Sequence, residues 1–211
     1  RDGYREILGI CEGAKEDKAG WSGFLRHLVD RGLSGVQLII SDACRGLVES
    51  IADYLPDARW QRCMVHFYRN VFSCVPSTKV REVSHMLKAI HAQESREAAM
   101  EKAASVIEQL RRQKLGKAAD LIDKSIAETL SYYSFPDSHW RKIRTNNPLE
   151  RIMKEIRRRT RVVGAFPDGQ SCLNLAAARL RHIAGTNWST RKYMNMQPLY
   201  QEQNQPNEAV A

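Results

Sequence analysis

From residue 79 to residue 132 the apolar side chains keep a helical period and never settle into alternation. Val80, Val83, Leu87 and Ile90 form one set, Ala103, Val106, Ile107 and Leu110 a second, and Leu121, Ile122, Ile126 and Leu130 a third. Steps of three and four place each set on one face of a helix, whereas a half-buried strand repeats every second residue. A stretch of about fifty residues without a strand signal excludes an all-β domain and predicts a helical module, with breaks at Pro76 and around Gly116.

The flanks read differently. Val36, Leu38, Ile39 and Ile40 form a short apolar run ending at Ser41-Asp42, the pattern of a buried strand, and residues 59–62 are a further strand. Between and around them lie helical patterns. Residues 19–31 carry Trp21, Phe24, Leu25 and Leu28 and are closed by Gly32; residues 45–55 are stopped by Pro56; residues 65–74 follow the second strand. Asp2-Gly3 with residues 4–10 predicts a hairpin turn feeding a strand, whose partner would lie upstream of Arg1. Arg1 is not a translational start, so the chain is expected to be a piece of a longer protein. The fold expectation is an α/β core in two parts, residues 1–75 and 141–196, interrupted by a helical insertion over residues 76–140. A polar, disordered tail is expected over residues 197–211.

Charge is concentrated after the insertion. Residues 141–161 hold nine Lys or Arg against two acids, Glu150 and Glu155, and so carry +7 of the chain's formal +9. With a pI near 9.5 this implies a polyanionic partner, since each cation set against a phosphate releases condensed counterions. No run approaches a membrane span, so nucleic acid is the expected partner and the membrane is not. Five cysteines without regular spacing fit reduced thiols, hence a cytoplasmic setting, better than a disulfide framework.

An acid inside a phosphate-binding surface repels the ligand unless it has another task, such as holding a divalent cation. Asn146-Asn147-Pro148 signals the start of the basic helix, on which Leu149, Ile152, Met153 and Ile156 form an apolar arc. At about 100° per residue, Glu150 and Glu155 each lie roughly 110° from the centre of that arc, on opposite sides. Position alone does not choose between them, and a solvated salt-bridge face is the plainer reading for either. Asp42, at the carboxyl end of a strand, is placed for a ligand or simply for capping the next helix. Cys63 and His66 have the spacing of half a zinc site with no second half; Trp60, Trp140 and Trp188 could stack on bases or pack in a core.

Six blocks in order, DGYREILG, SDACRGL, RCMVHFYRNV, KAIHAQES, RTNNPLERIMKEIRRRTRVVGAFPDGQS and ARLRHIAGTNW, give the chain a resemblance to the Mutator-type transposases of bacterial insertion sequences, over residues 2–196. The resemblance implies a ribonuclease H-like fold, truncated here at its N-terminus, and an Asp-Asp-Glu site for two Mg²⁺ or Mn²⁺ ions. It implies that Asp42 is the second Asp and Glu150 the Glu, and that Cys63 and His66 position groups near the site. The first Asp would lie upstream, so this chain alone is expected to be inactive, and Asp2, in a turn, does not replace it. Met153 stands where many relatives have Asn. Implied partners are double-stranded DNA, as element ends and as target, and further copies of the chain assembled on DNA near the nucleoid. Contacts to DNA are expected from Arg144, Asn146, Asn147, Arg151, Lys154, Arg157, Arg158, Arg159 and Arg161. The implied reaction is metal-dependent cleavage and strand transfer. A DNA-binding remnant without chemistry, or a ribonuclease H-like nuclease that cuts without joining, share the same fold expectation.

Overall fold

The computed structural model describes residues 2–13 and 15–204. The chain folds as two compact units. One gathers the chain up to Val36, Cys44–Asp57 and everything from Asn146 onward; the other gathers Gln37–Ala43 and Ala58–Thr145.

The second unit holds the sheet. Strands β1 (Leu38–Ser41) and β2 (Arg59–Arg62) run parallel, in a register pairing Leu38 with Arg59 and Ser41 with Arg62. Parallel strands need a long connection, which residues 42–58 supply. β1 is only half-buried over Leu38 to Ile40, less than its apolar run predicts, because among the described residues it has a single neighbouring strand. The chain is thus mostly helical with a small parallel sheet, which fits the expected α/β class.

The helical stretch belongs to this same unit. α1 (Met64–Ser73), α2 (Val80–Ile90), α3 (Arg96–Arg112), α4 (Gly116–Ser125) and α5 (Asp137–Ile143) surround a core of Phe67, Val71, Val83, Leu87, Ile90, Leu110, Ile122, Leu130 and Tyr132, all fully buried. The expected break at Gly116 has its cause two residues earlier. Lys114 turns left-handed at φ 60°, and the N–H groups of Lys114 and Leu115 close back on the carbonyls of Arg111 and Leu110, a Schellman cap. A further break falls at Ser95, whose hydroxyl accepts from Ala98 N and starts α3.

Two buried polar side chains tie the unit together. Gln61 on β2 donates to the carbonyls of Arg62 and Thr129 and accepts from Tyr132 N, each within 2.9 Å. His91 sits between Tyr68 Oη and Thr129 Oγ1, both at 2.9 Å. Thr129 Oγ1 reaches the Ile126 carbonyl, Tyr68 Oη donates to the Leu87 carbonyl, and His91 Nδ1 lies 3.1 Å from that same carbonyl, so the ring is held on both nitrogens by two hydroxyls and a carbonyl. Burial pushes His91 down to about 4 and so keeps it neutral, the contact with the Leu87 carbonyl opposing this and the Arg144 guanidinium adding to it.

The first unit contains two helix pairs. α6 (Lys18–Asp30) packs on α7 (Arg45–Tyr54) through Leu25, Leu28, Leu47 and Ile51. Asp17 caps α6 by accepting from Gly20 N, and Gly32, at φ 96°, closes it with a second Schellman cap. Gly46 is required: a Cβ there would stand 2.5 Å from the Asp17 carbonyl carbon, a backbone atom that cannot swing aside. α8 (Asn147–Val163) packs on α9 (Gly169–Ala184), followed by the short α10 (Asn187–Thr190) and α11 (Gln197–Asn204). α11 covers the first part of the segment expected as a disordered tail, and residues 205–211 of that segment lie outside the described residues.

Residues 4–10 are not a strand, since among the described residues none pairs with them and unpaired backbone gains nothing from a ladder. The segment is held by side chains and its ends instead. The Gly3 carbonyl accepts from Tyr193 N and Met194 N, Arg5 stacks over the rings of Trp188 and Tyr193, and the Leu8 carbonyl accepts from Arg31.

Candidate active site and nucleic-acid interface

The two expected acids belong to different units, and each has its own local setting. Asp42 follows the last residue of β1, and Cys63 follows the last residue of β2. Because Ser41 pairs with Arg62 in a parallel ladder, both stand at the same, carboxyl end of the sheet, and Cys63 N donates to the Ser41 carbonyl at 2.6 Å. Asp42 is exposed, and its carboxylate makes no hydrogen bond or ion pair among the described residues. It does not cap the next helix: the cap position of α7 is Cys44, with no side-chain capping bond. Cys63 is buried at the start of α1, and His66 lies half-buried in its first turn. Among the described residues no three His, Cys, Asp or Glu side chains converge as a metal site. Asp42 nevertheless suits a hard cation by type, as an exposed oxygen donor at a strand end.

On α8 the two glutamates separate clearly. Pro148 occupies the first turn and Glu150 follows it, half-buried, with Arg157 at 3.9 Å. Glu155 is engaged on both oxygens. Oε1 meets Arg179 Nη2 at 2.6 Å, Arg158 Nη2 at 2.9 Å and Arg159 Nε at 3.5 Å, while Oε2 accepts from Arg158 Nε at 3.0 Å. The Arg158 hydrogen bonds, with Arg179 and Arg159 behind them, draw the Glu155 carboxyl down to about 2.

Arg179 lies outside the basic stretch and was not foreseen. Its position was legible: on α9 it stands three residues after Ala176 and one before Leu180, the two residues that α9 buries against Ile152 and Ile156 of α8. The expected apolar arc of α8 is narrower than four residues. Ile152 and Ile156 are buried, but Leu149 is 53% and Met153 41% exposed, since the packing against α9 shields only a strip of α8.

The expected DNA contacts divide likewise. Arg151, Lys154, Arg157, Arg158, Arg159 and Arg161 are all exposed on α8 and differ in their partners; Asn147 is exposed at its start, with Asn146 half-buried before it. Arg158 and Arg159 are turned to Glu155. Arg144 is held in the second unit, its carbonyl accepting from Met64 N and its guanidinium donating to the His91 carbonyl. The tryptophans also have internal partners: Trp60 donates to Ser41 Oγ, Trp140 to the Phe135 carbonyl, and Trp188 lies under Arg5. No helix among the described residues is long and apolar enough to cross a membrane.

Comparison with known proteins places these features in one family. Residues 1–190 match the model of the family described as Transposase, Mutator family. The chain is 41% identical over 198 residues to the transposase for insertion sequence element IS1081 of Mycobacterium tuberculosis, covering 94% of this chain and 48% of that protein. It is 34% identical over 199 residues to the transposase for ISRM5 of Rhizobium meliloti, covering 94% and 50%. The transposase for IS256 in transposon Tn4001 of Staphylococcus aureus is 33% identical over 198 residues, covering 92% and 50%. The chain therefore spans about half the length of these relatives. It belongs to the Mutator family of transposases.

Proposed function

We propose that the chain is the catalytic part of a DNA transposase that cleaves and joins DNA at insertion-sequence ends, with a ribonuclease H-like core. The observation that carries this reading, beyond family membership, is the division of labour on α8. Glu155 is gripped on both oxygens by arginines at 2.6–3.5 Å and turned to α9, while Glu150 lies on the face of α8 that carries Lys154, Arg157 and Arg161, with Arg157 at 3.9 Å. That contrast favours Glu150 as the acid of the site, alongside Asp42.

Two Mg²⁺ or Mn²⁺ ions held by Asp42 and Glu150, with a further acid, would neutralise the scissile phosphate and lower the pKa of the attacking water or 3′-hydroxyl. The chain's own part is to hold and orient. Asp42 directly follows the last pair of the β ladder, so its backbone is tethered to a strand end. Glu150, in the first turn of α8, is anchored by the hydrogen bond from its own N–H to the Asn146 carbonyl. Lys154, Arg157 and Arg161 lie within about 40° of Glu150 around the helix and would clamp phosphates, fixing register without reading sequence. Cys63 and His66 would set the neighbourhood of Asp42. Pairing two element ends calls for more than one copy on DNA.

The test is nicking of duplexes bearing the element's ends in Mg²⁺ or Mn²⁺, by the protein extended to the length of its relatives. Asp42→Asn should abolish nicking and leave DNA affinity nearly unchanged. Nicking retained by Asp42→Asn would remove Asp42 from the site. Tight binding with no nicking by the unmutated protein would mean a DNA-binding remnant, and nicking without end joining a nuclease.

A further inference from the structure

The arginines of α8 form one basic run in the sequence, yet their partners differ: Arg158 and Arg159 turn to Glu155, and Arg157 approaches Glu150. Glu155 and Arg179 are each 23% exposed in their side chains and meet at 2.6 Å across the α8–α9 pair. Arg158 grips the same carboxylate side-on through Nε and Nη2, and Arg159 approaches from the next turn. Side-on, two-point pairing inside a network is the arrangement in which a partly exposed ion pair holds its geometry, unlike an isolated surface pair. The knot lies beside the buried seam of Ile152, Ile156, Ala176 and Leu180, against which Ile7, Ile183 and Trp188 also pack.

We infer that Glu155 is an internal counter-anion: it withholds Arg158, Arg159 and Arg179 from DNA and, through Arg179, fixes the rotation of α8 so that Glu150 faces outward with Lys154, Arg157 and Arg161. Glu155 and Glu150 are about 140° apart around the helix, so locking one against α9 directs the other away from it. Glu155 is therefore a positioning residue. The inference deepens the transposase reading and rests on it for the DNA-facing half.

The experiment measures, on this chain, affinity for a duplex of arbitrary sequence across a NaCl series, together with thermal unfolding. Arg157→Gln should lower the slope of log affinity against log salt by about 1, as for one lost phosphate contact, and Arg158→Gln should leave it unchanged. Glu155→Gln should steepen the slope by about 1 or more, because freed guanidiniums become available to phosphates, while lowering the melting temperature. A purely structural Glu155 would lower the melting temperature without steepening the slope. Equal flattening by Arg157→Gln and Arg158→Gln, or no steepening in Glu155→Gln, would overturn the inference. If the chain binds no DNA, the DNA-facing role of Lys154, Arg157 and Arg161 fails separately. The lock is then decided by unfolding of Glu155→Gln, Arg179→Gln and the double variant: non-additive losses support it and additive losses refute it.

Discussion

His91 in one unit and Glu155 in the other are both polar hubs with several partners, but they are built on opposite principles. His91 is 5% exposed, neutral, and satisfied by hydroxyls and a carbonyl; Glu155 is charged, partly exposed, and satisfied by guanidiniums. A buried group survives by giving up its charge, because desolvating an ion costs several kcal/mol. A group at the edge of a basic surface keeps its charge and spends it on neighbouring cations. The neutral hub therefore specifies a core, and the charged hub sorts a surface.

The sharpest way to break this comparison is to excavate the two cores. Leu87, fully buried beside His91, should cost about 3–5 kcal/mol on change to alanine, whereas Ile156→Ala in the thinner α8–α9 seam should cost about 2 kcal/mol. Urea unfolding followed by tryptophan emission measures both, since Trp60 and Trp140 report on one unit and Trp21 and Trp188 on the other.

Acid should then separate the hubs in sequence. His91 titrates at about 4 when folded against about 6.5 unfolded, so the unfolded chain binds the extra proton between those values. Its contribution is complete above pH 6.5 and falls by about 3 kcal/mol as pH drops to about 4. Glu155, drawn to about 2 from an ordinary 4.5, keeps its contribution down to pH 4.5 and loses it between there and about 2. Stability measured against pH should thus decline first in the unit containing His91, and His91→Gln should abolish that first decline. Simultaneous loss of both units near pH 5 would contradict the assignment.

A smaller effect sharpens the contrast between propensity and packing. Lys114 adopts a left-handed backbone that a non-glycine residue resists, so Lys114→Gly should stabilise the helical unit by up to about 1 kcal/mol, read as a rise in melting temperature.

The helical unit was legible because its signal is local. The three apolar sets spaced by three and four are the residues that the structure buries, apart from Val80 and Leu121, which are half-buried. β2 was legible to the residue, and β1 began two residues later than its apolar run. What was missed depends on partners distant in sequence. Residues 4–10 have strand-like composition but no pairing partner among the described residues. Leu149 and Met153 read as core because periodicity reports what a helix can bury, not how many neighbours it has. Asp42 and Glu150 could be proposed from charge, position and resemblance, but the reason to pass over Glu155 lies in Arg179, which no local pattern links to it.

The central claim is that Glu150 serves the reaction while Glu155 serves the helix that carries it. It is tested most directly by comparing Glu150→Gln and Glu155→Gln, in the protein extended to its relatives' length, for Mg²⁺-dependent nicking well below both melting temperatures. Loss of nicking in Glu150→Gln, with nicking retained and a steeper salt dependence in Glu155→Gln, is the predicted result. Nicking retained by Glu150→Gln and abolished in a folded Glu155→Gln would contradict it.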